Sequence, residues 1–269
     1  MTMTIETFII TLIDNEVSTK AAAKCIESIE KMRLPLDVKT FKAVDHNEAE
    51  RVMDFFKLKW TYPTGDDEEV SFHVRNSYHE DLFGTGYDLS LRPYKTKNIN
   101  KRIGCALSHY SLWQYAERNN KPIIVLEHDA EFIFNRYTHS ALLDFPKKGK
   151  NIIGLNSPFN ATFSAKIYDK NVRNAHLGYH SLNSNDFDLV NVPYVKPQRS
   201  DIPQGLAGNS AYYLTPDAAS SLLDLVDSVG LWPNDALICK QLAEIEKIRI
   251  RQVYPYMTKV QGTKSTTTL

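Results

Sequence analysis

In the segment Ile123-Ile124-Val125-Leu126-Glu127-His128-Asp129, an apolar run of strand length ends abruptly in ionisable side chains. Strands buried on both faces of a parallel sheet have continuous aliphatic and β-branched sequences. Open α/β sheets bind ligands in the crevice beyond the carboxyl ends of their strands. Acidic groups are costly to bury unless a cation neutralises them. The stretch therefore predicts a buried strand that ends at a ligand site.

Strand and helix patterns alternate on both sides of this stretch. Residues 8–13 form an apolar run, and Ser18 is expected to cap the helix that follows it. A second strand is expected at 38–44. The other expected elements are helices at 47–57, around Ile103 to Trp113, and from Pro216 and Pro233, and strands at 122–127, 151–155, 209–214 and 248–253. This alternation predicts an α/β fold with a mostly parallel sheet flanked by helices.

Two long segments lack a clear period. Residues 60–100 are mostly polar and are expected to form a functional loop or flap, because structureless loops of this length are uncommon in compact domains. Residues 158–204 are rich in Asn, Tyr and Pro and are expected to be irregular. The polar tail at 262–269 is expected to be mobile.

The amino-acid composition is that of a globular protein without net charge. The chain has 269 residues with 42% hydrophobic content, enough for a full core, and 32 basic residues balance 32 acidic ones. No global field therefore draws it onto nucleic acid or an anionic membrane. Three separated cysteines and the lack of an export or membrane-spanning segment near the N-terminus favour a cytoplasmic protein.

Five motifs together resemble glycosyltransferase family 25, the lipooligosaccharide-type sugar transferases that are related to collagen galactosyltransferases. The family typically shows a G-C-x-L-S-H-x-x-x-W helix and then an apolar strand ending in L-E-D-D. The motifs in this chain are Gly104-Cys105-Ala106-Leu107-Ser108-His109 with Trp113, Leu126-Glu127-His128-Asp129, Phe41-Lys42-Ala43-Val44-Asp45, Ala211-Tyr212-Tyr213-Leu214 with Ala218 and Leu222, and Pro233-Asn234-Asp235.

The resemblance implies a single GT-A-like (Rossmann-like) domain over 1–269, with irregular insertions on the acceptor side. Residues 1–155 would be the nucleotide-sugar-binding half, and residues 156–269 the acceptor-binding half. The implied activity is that of an inverting hexosyl- or pentosyltransferase. Its co-substrate would be a nucleotide-sugar, and its acceptor a hydroxyl of a lipooligosaccharide-like saccharide.

The implied cofactor is a divalent cation, with Glu127, His128 and Asp129 as its ligands. A carboxylate-held cation neutralises the leaving diphosphate as a Lewis acid. Where the family has an aspartate, this chain has His128, which favours Mn²⁺ over Mg²⁺ or a loss of metal dependence. In the alternative interpretation, Glu127 and Asp129 only end a strand, and they cap the following segment or pair with Arg136.

Asp235 is the candidate catalytic base that removes the proton of the acceptor hydroxyl. Its alternative role is to interact with the positive N-terminal dipole of the helix that it begins.

Other side chains are candidates for binding the donor. Asp14 and Asp45 end the first two expected strands, where a nucleotide base and ribose would lie. Ser108 and His109 would shape the donor pocket, although a histidine beside an apolar face commonly has a packing role. Lys259 and Lys264 would close over the diphosphate, or belong to a frayed terminus. The complete donor set is Asp14, Asp45, Ser108, His109, Glu127, Asp129 and Lys259.

A basic segment and one tryptophan are candidates for binding the acceptor. The basic segment, residues 92–102, contains five basic residues and no acidic one, and its alternative role is a solvent-exposed charged surface. Trp232 would be a platform for the acceptor sugar, unless it lies in the core. The candidates are Arg92, Lys95, Lys97, Lys101, Arg102 and Trp232.

The basic segment leaves a second acceptor open, namely duplex DNA with hydroxymethylated bases, as in phage DNA modification. A non-catalytic carbohydrate-binding protein is the third interpretation, motivated by His128.

Overall fold

The computed structural model describes residues 4–65, 69–75, 86–93, 96–134, 136–162, 164–179, 187–193 and 202–262. The strands are β1 (Ile5–Thr11), β2 (Leu36–Lys42), β3 (Val70–Arg75), β4 (Gly86–Leu91), β5 (Ile123–Glu127), β6 (Ala130–Phe132), β7 (Asn151–Gly154), β8 (Asp188–Asn191), β9 (Ala211–Leu214), β10 (Arg249–Tyr254) and β11 (Thr258–Val260). The helices are α1 (Glu16–Met32), α2 (Ala49–Phe56), α3 (Ile99–Asn119), α4 (Thr138–Asp144), α5 (Ala165–Tyr179), α6 (Pro216–Val229), α7 (Asn234–Leu237) and α8 (Lys240–Ile245).

A seven-stranded sheet with the order β2-β1-β5-β9-β7-β10-β8 forms the centre of the molecule. β1 pairs in parallel with β2 and β5, and β7 pairs in parallel with β10. β9 is antiparallel to both β5 and β7, and β8 is antiparallel to β10. Five strands therefore run in one direction and two in the other, which confirms the expected mostly parallel sheet.

This topology places the carboxyl ends of parallel strands and the start of an antiparallel strand at the same edge of the sheet. The carboxyl ends of β1, β2 and β5 meet there, and β9 begins there because it runs the opposite way. Ligands of open α/β sheets bind at this edge.

Helices cover both faces of the sheet, as β5 illustrates. Ile123 and Val125 pack into a cluster that includes side chains of α3, α5 and α6, whereas Ile124 and Leu126 pack against side chains of α1 and α4. Successive side chains of a strand point to opposite faces, so a strand covered on both sides needs the continuous apolar sequence found here.

Helix α3 lies unusually close to the end of β2 at Gly104. A Cβ atom at this glycine would lie 2.5 Å from the backbone oxygen of Val44. Only a residue without a side chain permits this approach. Cys105 and Ser108 are therefore held at the edge of the sheet where the parallel strands end.

The loop after β1 differs from the expectation in its capping residue. Asn15, not Ser18, is the N-cap of α1, and its Oδ1 accepts a hydrogen bond of 3.0 Å from the Ser18 backbone N–H. The Ser18 hydroxyl instead accepts a hydrogen bond of 2.9 Å from the backbone N–H of Leu12. These bonds fix the turn that follows the first strand.

The two segments without a clear period, 60–100 and 158–204, both contain regular elements, although the second was expected to be irregular. Residues 158–204 include α5, whose Tyr168 and Val172 are buried, and the edge strand β8. Residues 60–100 include the antiparallel pair β3 and β4. Residues 263–269 of the tail, including Lys264, lie outside the described ranges. Among the described helices, none is long and apolar enough to cross a membrane.

Candidate functional site

Glu127 occupies the centre of the candidate site, at the carboxyl end of β5. Its backbone N–H donates a 2.7 Å hydrogen bond to the carbonyl of Ser210, which comes just before β9. Its side chain is 31% exposed and forms part of the wall of two neighbouring cavities. Cys105 on α3 also lines both. Glu127 and Cys105 therefore mark the place where the cavities meet.

A chain of buried hydrogen bonds supports Glu127 from beneath. Trp113 Nε1 donates to the Tyr212 hydroxyl oxygen at 2.8 Å, and this hydroxyl lies 2.9 Å from His109 Nδ1. His109 Nε2 in turn lies 3.4 Å from Glu127 Oε1. Trp113, His109 and Tyr212 have no exposed surface. The chain links α3, β9 and β5.

His109 Nε2 faces two polar groups of the site. It lies 3.4 Å from Glu127 Oε1 and 3.3 Å from the Asn234 side-chain nitrogen. The Tyr212 oxygen accepts from Trp113 and keeps a second lone pair, so its hydroxyl either donates to His109 Nδ1 or accepts from it. A proton on Nε2 would be donated to Glu127, whereas an Nε2 without a proton would accept from the Asn234 amide.

The carboxyl groups of Glu127 and Asp129 have pKa values that are shifted in opposite directions. Burial is the largest single influence and raises the pKa of Glu127, but the hydrogen-bonding and charge interactions of His109, together with the charge of His128, outweigh it and leave the pKa below its usual value. Burial and the neighbouring charge of Glu127 raise the pKa of Asp129 to about 7. Asp129 Oδ1 is buried and has no hydrogen-bond partner among the described residues. An ionised carboxylate next to an unsatisfied one is the environment that a cation would stabilise.

The smaller cavity has a volume of about 330 Å³ and lies over the ends of β1, β2 and β5. Five of the residues predicted to bind donor or metal line it, together with one cation of the basic segment. These residues are Asp14, Asp45, Ser108, Glu127, His128 and Lys101. Lys42 and His46 also line this cavity and were missed, although Lys42 belongs to the strand-end motif that contains Asp45 and His46 directly follows it.

Two of these side chains also have structural hydrogen bonds. Asp45 accepts bonds from the backbone N–H and the side-chain amide of Asn47, and the backbone bond contributes most to lowering the Asp45 pKa. The Ser108 hydroxyl accepts from the Val44 N–H at 2.9 Å and donates to the Gly104 carbonyl at 2.7 Å. Ser108 therefore also joins α3 to the end of β2.

The larger cavity has a volume of about 660 Å³ and lies on the other side of Glu127. Of the predicted residues, Arg102, Glu127, Asp129 and Asp235 line it. Most of its remaining wall comes from residues 160–162, 164, 203–210 and 233–235. Asp235 is exposed in the first turn of the four-residue helix α7. It therefore faces the cavity while also occupying a position favoured by the helix dipole.

The basic segment does not form one surface. Lys101 lines the smaller cavity and Arg102 the larger one. Arg92 forms an ion pair of 2.9 Å with Glu69, and Lys97 is exposed without lining either cavity. Lys95 lies outside the described residues.

Three predicted roles need correction. Trp232 is fully buried, donates to Thr61 at 2.8 Å and packs edge-on against Tyr62 and Phe72, so it offers no face to a sugar. Lys259 lies outside both cavities and forms an ion pair of 3.4 Å with Glu131. His109 is also absent from both linings and acts only through its contact with Glu127.

The residues at the junction fit a divalent cation. Cys105 Sγ, His109 Nε2 and a Glu127 oxygen lie within 4.8 Å of one another. However, burial raises the Cys105 pKa well above its usual range, so the Cys105 thiol keeps its proton and is a poor ligand. The Glu127 carboxylate and the unsatisfied Asp129 Oδ1 are the better oxygen ligands.

Comparisons with known proteins agree with the sequence motifs. The model of "Glycosyltransferase family 25 (LPS biosynthesis protein)" matches residues 6–238. No curated protein matches the chain. Among solved structures, apo mouse xyloside xylosyltransferase 1 aligns with 90% of this chain and 81% of its own, at 10% identity and a TM-score of 0.37. Because the family model covers most of the sequence, this protein belongs to glycosyltransferase family 25 and is a glycosyltransferase with an α/β fold around a mostly parallel sheet.

Proposed function

We propose that the enzyme transfers a sugar from a nucleotide-sugar to a hydroxyl group of a saccharide acceptor, with inversion at the anomeric carbon. The observation that carries the proposal is the pair of cavities that meet at Glu127 and Cys105. A group-transfer enzyme with two substrates needs two adjoining sites that share the point of reaction.

The smaller cavity is the proposed nucleotide site. It lies over the ends of parallel strands, where α/β folds bind nucleotides, and its whole wall comes from residues 10–128. Lys42 and Lys101 supply positive charge for the diphosphate, and Asp14 and Asp45 supply acceptors for ribose hydroxyls. This lining supports a nucleotide-sugar-binding half within residues 1–155.

The larger cavity is the proposed acceptor site. Most of its wall belongs to residues 156–269, and its volume leaves room for a saccharide. Asp235 is the proposed catalytic base that takes the proton of the acceptor hydroxyl as this oxygen attacks the anomeric carbon. Attack from the side opposite the diphosphate inverts the configuration.

Glu127 and Asp129 are the proposed ligands of a divalent cation, with Mn²⁺ the expected ion. Such a cation, when bound, supplies positive charge for the leaving diphosphate. His109 contacts Glu127 from the buried side, with Nε2 3.4 Å from Oε1. The burial of Asp129 keeps competing water away from its unsatisfied oxygen.

A thermal-shift panel of nucleotide-sugars, with and without Mn²⁺, tests the donor site, because a ligand selective for the folded state raises the melting temperature. Transfer is then measured with the donor that gives the largest shift, and NMR of the product reports the anomeric configuration. Glu127→Gln is expected to abolish transfer while the protein stays folded. Glu131→Gln is the matched control, because Glu131 lies four residues away and lines neither cavity. Equal activity of both variants would contradict the proposed site.

The acceptor class is tested with the same donor. Saccharides with free hydroxyl groups are compared with duplex DNA that contains hydroxymethylated bases, and gel shifts at increasing salt report DNA binding. Transfer to saccharide alone is expected. Transfer to DNA would replace the proposed acceptor, and lack of turnover with every donor would favour a non-catalytic carbohydrate-binding protein.

A further inference from the structure

Two polar side chains in the wall of the larger cavity have atoms that the protein leaves unpaired. Asn209 and Ser210 come just before β9, line the cavity, and are each 5% exposed. Asn209 Oδ1 and Ser210 Oγ are buried and have no hydrogen-bond partner within the described ranges. Buried polar atoms of folded proteins nearly always have a partner. Two adjacent exceptions in one cavity wall indicate a polar ligand.

The rest of the segment is held firmly, so the unpaired atoms do not result from a loose loop. The Ser210 carbonyl accepts a hydrogen bond of 2.7 Å from Glu127 N–H. The Asn209 side-chain amide donates at 2.9 Å to the Asn234 carbonyl. Gly208 has a φ of +80°, and a Cβ atom there would lie 2.6 Å from Ala161 Cβ. Both side chains are therefore preorganised, with one hydrogen-bonding atom each left unused.

We infer that Asn209 and Ser210 form the subsite that binds ring hydroxyls of the transferred sugar and selects that sugar. This inference rests on the proposed function. Ser210 is hydrogen-bonded to Glu127, the proposed cation ligand, and Asn209 is hydrogen-bonded to the residue before Asp235, the proposed base. A sugar between the diphosphate and the base lies next to both residues.

The chemistry of the two atoms matches a sugar hydroxyl. Asn209 Oδ1 only accepts hydrogen bonds and therefore needs an O–H donor. Ser210 Oγ both donates and accepts, as a sugar hydroxyl does. A site built to bind a hydroxyl group discriminates strongly against an analogue without it, because its own buried polar groups are then left unpaired.

Ser210→Ala tests the inference, with Thr138→Val as the matched control. Thr138 Oγ1 is also buried without a partner in the described part of the chain, but Thr138 lies on α4 and lines neither cavity. Removing an unsatisfied buried hydroxyl does not destabilise a protein. Both variants are expected to keep or raise the melting temperature of the free enzyme.

Activity separates the two variants. With the preferred donor, Ser210→Ala is expected to lower kcat/KM about tenfold, the size of one lost hydrogen bond, and Thr138→Val to leave it unchanged. With a series of deoxy-sugar donors, the loss in Ser210→Ala should disappear for the analogue that lacks the hydroxyl bound by Ser210.

Three outcomes would overturn the inference in an active enzyme. They are unchanged kcat/KM in Ser210→Ala, an equal loss with every deoxy analogue, and a fall in melting temperature in Ser210→Ala but not in Thr138→Val. Absence of turnover by the wild-type enzyme with every nucleotide-sugar is a different result, because it removes the proposed function on which the subsite depends.

Discussion

Replacing Tyr212 with phenylalanine removes one oxygen atom and leaves two buried partners unpaired. The Tyr212 hydroxyl accepts from Trp113 Nε1 at 2.8 Å and contacts His109 Nδ1 at 2.9 Å, and both partners are fully buried. Each buried group left without a partner costs ~1–3 kcal/mol. The free energy of unfolding should therefore fall by about 2–6 kcal/mol, a large part of the ~5–15 kcal/mol typical of a folded protein.

Tyr213→Phe is the control, because Tyr213 is the next residue of β9 and faces the opposite side of the sheet. Its hydroxyl donates to the Pro146 carbonyl at 2.9 Å in a partly buried environment. The expected loss is about 1 kcal/mol, as for one ordinary hydrogen bond. Urea unfolding of both variants measures the difference. Equal losses would refute the conclusion that the buried chain beneath Glu127 is continuous.

Three further predictions concern the edge of the sheet and its surroundings. The pKa of Asp129 is raised from 3.8 to about 7, so between these pH values the folded protein holds a proton that the unfolded chain has released. Stability of the metal-free enzyme should fall as pH rises through this window, by up to ~1.4 kcal/mol per pH unit. Asp129→Asn should reduce this slope in urea titrations, and a slope that persists unchanged would place the titrating group elsewhere. Gly104→Ala puts a Cβ atom 2.5 Å from the Val44 carbonyl oxygen, so it should lower the free energy of unfolding by ~1–3 kcal/mol. It should also displace α3 and weaken the binding of nucleotide-sugar measured by calorimetry. Unchanged binding would show that the displacement of α3 does not reach the smaller cavity. Trp232→Phe loses the hydrogen bond to Thr61, so it should lower the free energy of unfolding by about 1 kcal/mol without changing the KM for the acceptor. A raised KM at unchanged stability would support the role of Trp232 as a platform for the acceptor sugar.

The sequence predicted the central part of the site because one signal was unambiguous. A strand covered on both faces must be apolar throughout, so the end of β5 and the acidic residues after it could be located without a structure. The same reasoning located the ends of β1 and β2, with Asp14 and Asp45 beside the smaller cavity.

Asn209 and Ser210 were missed because β9 runs against its neighbours. Polar residues at the ligand edge follow a parallel strand in the sequence, but they precede an antiparallel one. A search for polar residues after each apolar run therefore passes over them. The orientation of β9 depends on pairing with β5 and β7, which are distant in sequence, and no local pattern reports it.

Other differences have similar causes. Helix α5 was missed because its stripe of buried side chains is narrow, and exposed apolar residues such as Ile167 and Leu177 obscure the helical period. The sequence left Trp232 open between an acceptor platform and the core, because an aromatic residue next to a proline gives no information about burial. The cations of 92–102 were treated as one group, but α3 begins at Ile99 and turns Lys101 and Arg102 toward different cavities.

The wall formed by Glu127 and Cys105 between the two cavities also matters for inhibitor design. A fragment that fills either cavity lies one side chain away from the other cavity. If two weakly binding fragments were joined by a short linker past Glu127 and Cys105, binding of one would give the other a millimolar effective concentration at its own cavity. Such a compound would gain affinity from proximity alone, without any additional contact to the enzyme.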